Sequence, residues 1–317
     1  MKQVTLGSQG LRVPAIGLGC MGMSDFYGES SEAQNLAVLD RAAAIGCTFW
    51  DTSDIYGPFT NEILLSKALK GRRDRITLAT KFGVKRGEDG SWLGVDGSAA
   101  YVKACCEASL KRLGTDHIDL YYQHRMDPAT PIEETVGALA ELVKEGKVRY
   151  LGLSEADADT IARAHAVHPI SALQTEYSLW SREVEADILP TLRRLNIGFV
   201  AYSPLGRGFL SGAIRSRADL RPGDWRLTNP RFSEAAIAQN TRLADLVSEI
   251  AKDLRATPAQ VALSWLLSRE LPLAAIPGTR KLERLEENWA SQEITLSAKQ
   301  LARLESLVQQ GVAGARY

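Results

Sequence analysis

Four polar residues of this chain combine types suited to proton transfer: Asp51, Tyr56, Lys81 and His124. Each lies at or just past the end of a short apolar run: 47–50 before Asp51, 76–80 before Lys81 and 118–123 before His124. A phenol with a pKa near ~10 is a poor acid at neutral pH. An adjacent Lys81 ammonium is expected to stabilise the phenolate and lower that value. Asp51 can hold the ammonium by an ion pair, and His124 can hydrogen-bond a carbonyl oxygen. The set suits protonation of an oxygen that becomes an alkoxide, the proton half of carbonyl reduction. The hydride half needs a cofactor, because no side chain donates hydride. Lys81 also fits a Schiff-base lyase of the aldolase type; Tyr56 favours reduction without excluding it. Any one of the four is as readily structural, but all four on neighbouring strand ends point to a site.

The elements that must position them follow from hydrophobic patterning. Apolar runs too short for helices, alternating with amphipathic helical segments, read as parallel strands buried on both faces. Eight occur, near 15–18, 47–50, 76–80, 118–122, 148–153, 172–174, 197–202 and 273–276. This predicts an α/β fold, a (β/α)8 TIM barrel, with an N-terminal β-hairpin, extra C-terminal helices and a single domain over 1–317. Such barrels keep their chemistry at the carboxyl ends of the strands. The hairpin joins Val4-Thr5-Leu6 to Leu11-Arg12-Val13 through Gly7-Ser8-Gln9-Gly10, as a lid over the barrel floor. Capping boxes are expected at Ser31/Gln34, Thr130/Glu133, Thr257/Gln260 and Ser297/Gln300, with Pro131 and Pro258 at first helical positions. Residues 205–239 break the rhythm, with Arg, Gly and Pro where a compact strand–helix connection belongs. A long insertion of this kind is expected to be a lid or mobile loop, with Arg207, Arg215, Arg217, Arg221, Arg226 and Arg231 mostly solvated.

Composition excludes several classes. The 38 basic and 38 acidic side chains cancel, so no overall field draws nucleic acid or anionic membrane. No run approaches a membrane span, and the amino terminus lacks a signal-peptide core. Cys20, Cys47, Cys105 and Cys106 read as free thiols in a reducing, cytoplasmic compartment. With four histidines and no His-x-His motif, no metal site is expected; His117, His165 and His168 read as structural.

Six stretches then carry a resemblance: Gly17-Leu18-Gly19, Asp51-Thr52-Ser53-Asp54-Ile55-Tyr56-Gly57, Thr80-Lys81-Phe82, Asp119-Leu120-Tyr121-Tyr122-Gln123-His124, Tyr202-Ser203-Pro204-Leu205-Gly206 and Ile276-Pro277-Gly278-Thr279. Together they resemble the aldo-keto reductases, in order along nearly the whole chain. Gly152-Leu153-Ser154-Glu155-Ala156 and Glu176-Tyr177-Ser178-Leu179-Trp180 resemble the branch containing plant perakine reductase and related bacterial and yeast enzymes. The resemblance implies NADPH-dependent carbonyl reduction, with Tyr56 as acid, Lys81 and Asp51 assisting, and His124 orienting substrate. It also implies that Tyr202 stacks on the nicotinamide, Ser154 and Gln174 hold its carboxamide, and Glu287 and Asn288 hold the adenine. Glu155 stands where many relatives have asparagine. A nicotinamide-sensing subunit of low turnover is a further alternative, since potassium-channel β subunits share this barrel.

Gly17-Leu18-Gly19-Cys20-Met21-Gly22 fits G-x-G-x-x-G literally, but no helix follows directly, so the dinucleotide-fold reading is rejected. The glycines are instead expected to let the first loop approach NADPH/NADP+ closely, with Gly19 and Met21 as candidate contacts. Barrels often bind phosphate after strands seven and eight. Ser203, Pro204, Leu205, Gly206 and Gly208 follow strand seven and are candidates for the pyrophosphate. Ile276, Gly278, Thr279 and Arg280 follow strand eight, with Arg284 on the helix beyond; Arg280 and Thr279 suit a 2′-phosphate. Tyr27, Trp92, Arg125 and Trp180 are expected on mouth loops, Trp92 and Trp180 forming an apolar wall for a small carbonyl substrate. The active species is expected to be a monomer or homo-oligomer.

Overall fold

A computed structural model describes residues 2–316 apart from 29, 88, 309 and 310, so the outermost residues of the expected domain, 1 and 317, lie outside it. The chain runs β1 (Gln3–Leu6), β2 (Leu11–Pro14), β3 (Leu18–Gly19), α1 (Glu32–Ile45), β4 (Phe49–Asp51), α2 (Thr60–Leu69), β5 (Thr77–Phe82), β6 (Val84–Arg86), β7 (Trp92–Val95), α3 (Ala99–Leu113) and β8 (Ile118–Gln123). It continues with α4 (Ile132–Lys144), β9 (Val148–Ser154), α5 (Ala158–Val167), β10 (Ala172–Glu176), α6 (Ile188–Leu195), β11 (Gly198–Tyr202), α7 (Glu234–Leu254), α8 (Pro258–Leu267), β12 (Leu273–Ala275), α9 (Leu282–Ala290) and α10 (Ala298–Val308).

All eight expected parallel strands form, in the order β3-β4-β5-β8-β9-β10-β11-β12. Bridges from Ile16 to Ala275 and from Gly19 to Gly278 close the sheet on itself. Closure demands a close backbone approach: a Cβ on Gly19 would lie 2.8 Å from the Ile276 carbonyl oxygen. The intimacy expected between Gly19 and a cofactor is thus first required by the seam of the barrel.

Strand alternation then decides which side chains enter the barrel. Phe49, Ala79, Leu120, Tyr122, Ala172, Val200 and Ala274 form an interior cluster with Leu6, Leu11 and Val13 of the antiparallel β1–β2 hairpin. The hairpin therefore plugs the floor, as its alternating pattern predicts. Gly152 admits the Tyr122 ring, because any Cβ there would fall 2.4 Å from it.

Caps form at Ser31, whose side chain accepts from the Gln34 N–H, and as reciprocal boxes at Thr257/Gln260 and Ser297/Gln300. The Thr130/Glu133 box does not form. Thr130 donates to Asp127 at 2.8 Å, Glu133 pairs with Arg163 at 2.7 Å, and Pro131 is the N-cap rather than the first helical residue. Residues 205–233 are not structureless: they fold as successive 3-10 turns leading straight into α7. The antiparallel β6–β7 hairpin has no counterpart in the sequence expectation.

Candidate active site

Two residues beyond each inward-facing apolar position lies the next inward position, at the mouth. Phe49 is thus followed by Asp51, Ala79 by Lys81, Tyr122 by His124, Gly152 by Ser154, Ala172 by Gln174 and Val200 by Tyr202. The period of two that sends apolar groups into the core sends these polar groups into one layer above it. Asp51, Lys81, Ser154 and Gln174 are buried, and His124 and Tyr56 keep only 7% exposure.

Within that layer Lys81 Nζ donates to Asp51 Oδ1 at 2.5 Å, to the Thr52 carbonyl at 2.8 Å and to the Tyr56 hydroxyl at 3.1 Å. All three ammonium protons are thereby used. Gln174 Nε2 donates to Asp51 Oδ2 at 2.7 Å, so both carboxylate oxygens are engaged. Burial alone would depress the Lys81 ammonium, but Asp51 and Tyr56 outweigh it and hold its pKa above the usual range. Tyr56 corrects a sequence expectation. Burial outweighs the Lys81 charge, and the phenol's pKa is raised rather than lowered. The phenol is therefore fully protonated at neutral pH, and the ammonium is placed to stabilise the phenolate left after transfer. His124 meets Tyr56 edge-on, with ring centroids 5.8 Å apart. Burial, Lys81 and Arg125 hold its pKa well below the ordinary value, so the imidazole is neutral.

Ser53, which the sequence reading quoted only within a motif, approaches His124 Nδ1 at 3.1 Å through its hydroxyl. Arg125 donates to the His124 carbonyl at 2.6 Å and to Ser154 Oγ at 3.2 Å, directly beside the polar layer.

After β11 the backbone turns left-handed at Ser203, Gly206, Arg207 and Gly208, with Pro204 and Leu205 between. Such turns gather N–H groups into a concave anion site. After β12, Ile276 is buried at the seam, Gly278 is exposed, and Thr279 Oγ1 accepts from the Lys281 N–H at 3.1 Å. Helix α9 starts at Leu282 with no side-chain cap, and Lys281, Arg284 and Glu283 surround its open end. Glu287 is half-buried and Asn288 buried on the same helix. Arg280 Nη2 and Nη1 donate to the carbonyls of Tyr27 at 2.7 Å and Gly28 at 3.0 Å, beyond the Met21–Met23 turn.

The expected apolar wall is not formed. Trp92 is 63% exposed on β7, whereas Trp180 is enclosed by Phe209 at 4.2 Å and Phe232 at 5.6 Å between ring centroids. Tyr27 lies under Arg226, 5.4 Å from guanidinium to ring centroid. The arginines expected to be solvated are largely pinned. Arg207 pairs with Glu176 at 2.8 Å, Arg226 with Asp224 at 2.6 Å, Arg231 with Glu183 at 2.9 Å, and Arg215 with Asp245.

Glu176, at the end of β10, is a hub that sequence reasoning missed. It accepts from Ser181 Oγ at 2.9 Å, Arg207 at 2.8 Å and Arg316 at 3.2 Å. Arg316 also pairs with Glu155 and donates to the Tyr202 hydroxyl at 2.8 Å. Glu155 adopts a left-handed φ of 57°, a conformation that asparagine tolerates better. Glutamate there reaches both Arg316 and the Glu176 N–H, at 3.2 Å for the latter. No local sequence signal pairs residues this far apart.

Comparison with known proteins agrees with this geometry. The family model described as "Aldo/keto reductase family" matches residues 15–309. A solved thermostable aldo-keto reductase, Tm1743, in complex with the inhibitor epalrestat, is 31% identical, with 97% of this chain and 100% of that chain covered and a TM-score of 0.80. Glycerol dehydrogenase AKR11B4 from Gluconobacter oxydans is 23% identical, with 99% and 97% covered and a TM-score of 0.89, a likeness of fold. On barrel, polar layer and these matches together, the chain belongs to the aldo/keto reductase family of oxidoreductases.

Proposed function

We propose that the chain acts as one cytoplasmic domain reducing small aldehydes or ketones to alcohols with NADPH, within the perakine reductase-like branch. The observation that carries this reading is the contact of Lys81 with both Asp51 and Tyr56 in a buried polar layer. A lysine held charged by a carboxylate is a poor Schiff-base nucleophile but a good stabiliser of a phenolate.

The residues fit a dinucleotide phosphate: left-handed turns at 203–208 suit a pyrophosphate. The uncapped start of α9, with Arg280, Lys281 and Arg284 near it, suits a 2′-phosphate. Gly19, Met21, Ser154, Gln174, Tyr202, Ile276, Gly278, Thr279, Glu287 and Asn288 complete the proposed cofactor set. When bound, NADPH would supply the hydride. Tyr56 protonates the nascent alkoxide, Lys81 stabilises the resulting phenolate, and Asp51 keeps Lys81 charged and aimed. His124 donates one hydrogen bond to the carbonyl oxygen, orienting and polarising it. Tyr27 and Arg125 remain substrate-side candidates.

A stopped-flow screen of NADPH oxidation over aldehydes, diketones and quinones tests the reading. Turnover on at least one class is expected. Tight NADPH binding with none would favour a sensing subunit, and a borohydride-trapped Lys81 adduct would favour the lyase.

A further inference from the structure

A neutral His124 can help a carbonyl only if Nε2 carries the proton; the other tautomer turns a lone pair toward the oxygen. A buried serine hydroxyl stands beside the ring's other nitrogen. Ser53 Oγ lies 3.1 Å from His124 Nδ1 and 3.1 Å from Asp54 Oδ1. The Lys81 carbonyl, at 3.5 Å, is too distant to compete for the single hydroxyl proton. Ser53 and Asp54 are 0% and 3% exposed, so bulk water does not offer a replacement partner. We propose that Asp54, acting through Ser53, is a positioning residue that sets the tautomer of His124. The proposal rests on the reductase reading for its catalytic meaning.

With Asp54 protonated, its O–H donates to Ser53 Oγ, Ser53 donates to Nδ1, and the imidazole proton resides on Nε2, available to a carbonyl. With Asp54 ionised, the carboxylate accepts a hydrogen bond from the Ser53 hydroxyl, Nδ1–H donates to Ser53 Oγ, and Nε2 carries no proton. Both arrangements satisfy Ser53 Oγ and His124 Nδ1; only the first assists reduction. The Ile55 N–H, 3.4 Å from Ser53 Oγ, is accommodated by either.

The surroundings keep the acid form available. Burial, then the Glu62 carboxylate, push Asp54 up to about 8, with Ser53 and Arg112 opposing. Glu62 on α2 is itself held by Thr80 and Arg112. Tyr101 and Cys105 on α3 and Tyr121 on β8 also face Asp54, and burial keeps all three neutral in this range. Burial, then the Lys81 and Arg125 charges that face it, keep His124 neutral throughout, while Tyr56 titrates above its ordinary value. A loss of activity near pH 8 is therefore separable from ionisation of the acid.

The test combines tautomer spectroscopy with kinetics. In 15N-histidine spectra of the intact protein, with His124 assigned by its absence in His124→Gln, the Nε2–H form is expected at pH 6.5. It should give way to the Nδ1–H form through about pH 8 without the ring becoming charged. The rate constant for carbonyl reduction should fall about ten-fold between pH 6.5 and pH 9, one pH unit above that midpoint. Asp54→Asn should compress the fall to under about two-fold, and Asp54→Asn in a Ser53→Ala background should change nothing further. An Nδ1–H form at pH 6.5, or a single tautomer from pH 6.5 to 9, overturns the proposal. So does a ten-fold fall that survives Asp54→Asn. If no carbonyl is turned over, the reductase reading fails, while the spectra still decide the tautomer switch.

Discussion

The two arcs of the barrel mouth are built on opposite plans. On the β4–β5–β8 arc, Asp51, Lys81 and His124 from successive strand ends meet Tyr56 from the turn after β4 in a buried cluster. On the β9–β10–β11 arc, Glu155, Glu176 and Tyr202 are joined by Arg316, more than a hundred positions away in sequence, and by Arg207. The first arc is shaped by strand register, which admits almost no adjustment. The second is held by ion pairs between segments far apart in sequence. The proposed proton chemistry thus sits on the arc set by strand register, and the ion-paired arc borders the surface proposed for the nicotinamide.

Substitutions on each arc should separate these plans. The largest effect is expected for Tyr56→Phe. The rate constant for reduction should drop by roughly 10²–10⁴-fold, the usual worth of a positioned acid, while NADPH affinity changes little; wild-type turnover would remove Tyr56 from its role. Glu176→Gln should come next, on the opposite arc. Breaking a buried charge hub costs about 3 kcal/mol, readable in urea denaturation, and a loss under about 1 kcal/mol would reduce the hub to an ordinary surface pair. Arg280→Ala should weaken NADPH about ten-fold more than NADH, measured by fluorescence titration. Equal losses would place the 2′-phosphate elsewhere. The smallest effect is expected for Glu155→Asn: relief of left-handed strain, of order 1 kcal/mol, roughly offsets a lost ion pair of similar worth. A thermal shift of many degrees in either direction would show that one of those two terms dominates.

The same contrast explains what the sequence could disclose. Asp51, Lys81 and His124 were legible because strand alternation projects a local pattern onto a spatial layer. The period of two that buries Phe49, Ala79 and Tyr122 also orders the residues above them. Arg316 on Glu155 and Glu176 was not legible, because pairing across such separations leaves no periodic trace. Trp180 misled for a related reason: a tryptophan after a strand end looks like a mouth residue, yet Phe209 and Phe232 from a later loop fold over it. Thr130 misled locally, since Asp127 competes for its hydroxyl and Arg163 for Glu133. Ser53 and Asp54 were in plain view within the motif, but only their distances to His124 and to one another give them a task.

Gly152 has a consequence beyond packing. By yielding its space to the Tyr122 ring, it seats an uncharged phenol, its own pKa raised well above the ordinary value by burial, just beneath Asp51. That ring is an insulating tile: an uncharged group lies below the carboxylate, whose oxygens are engaged by Lys81 and Gln174. Enlarging position 152 would tilt the tile and disturb the electrostatics of a reaction centre whose own residues were left untouched.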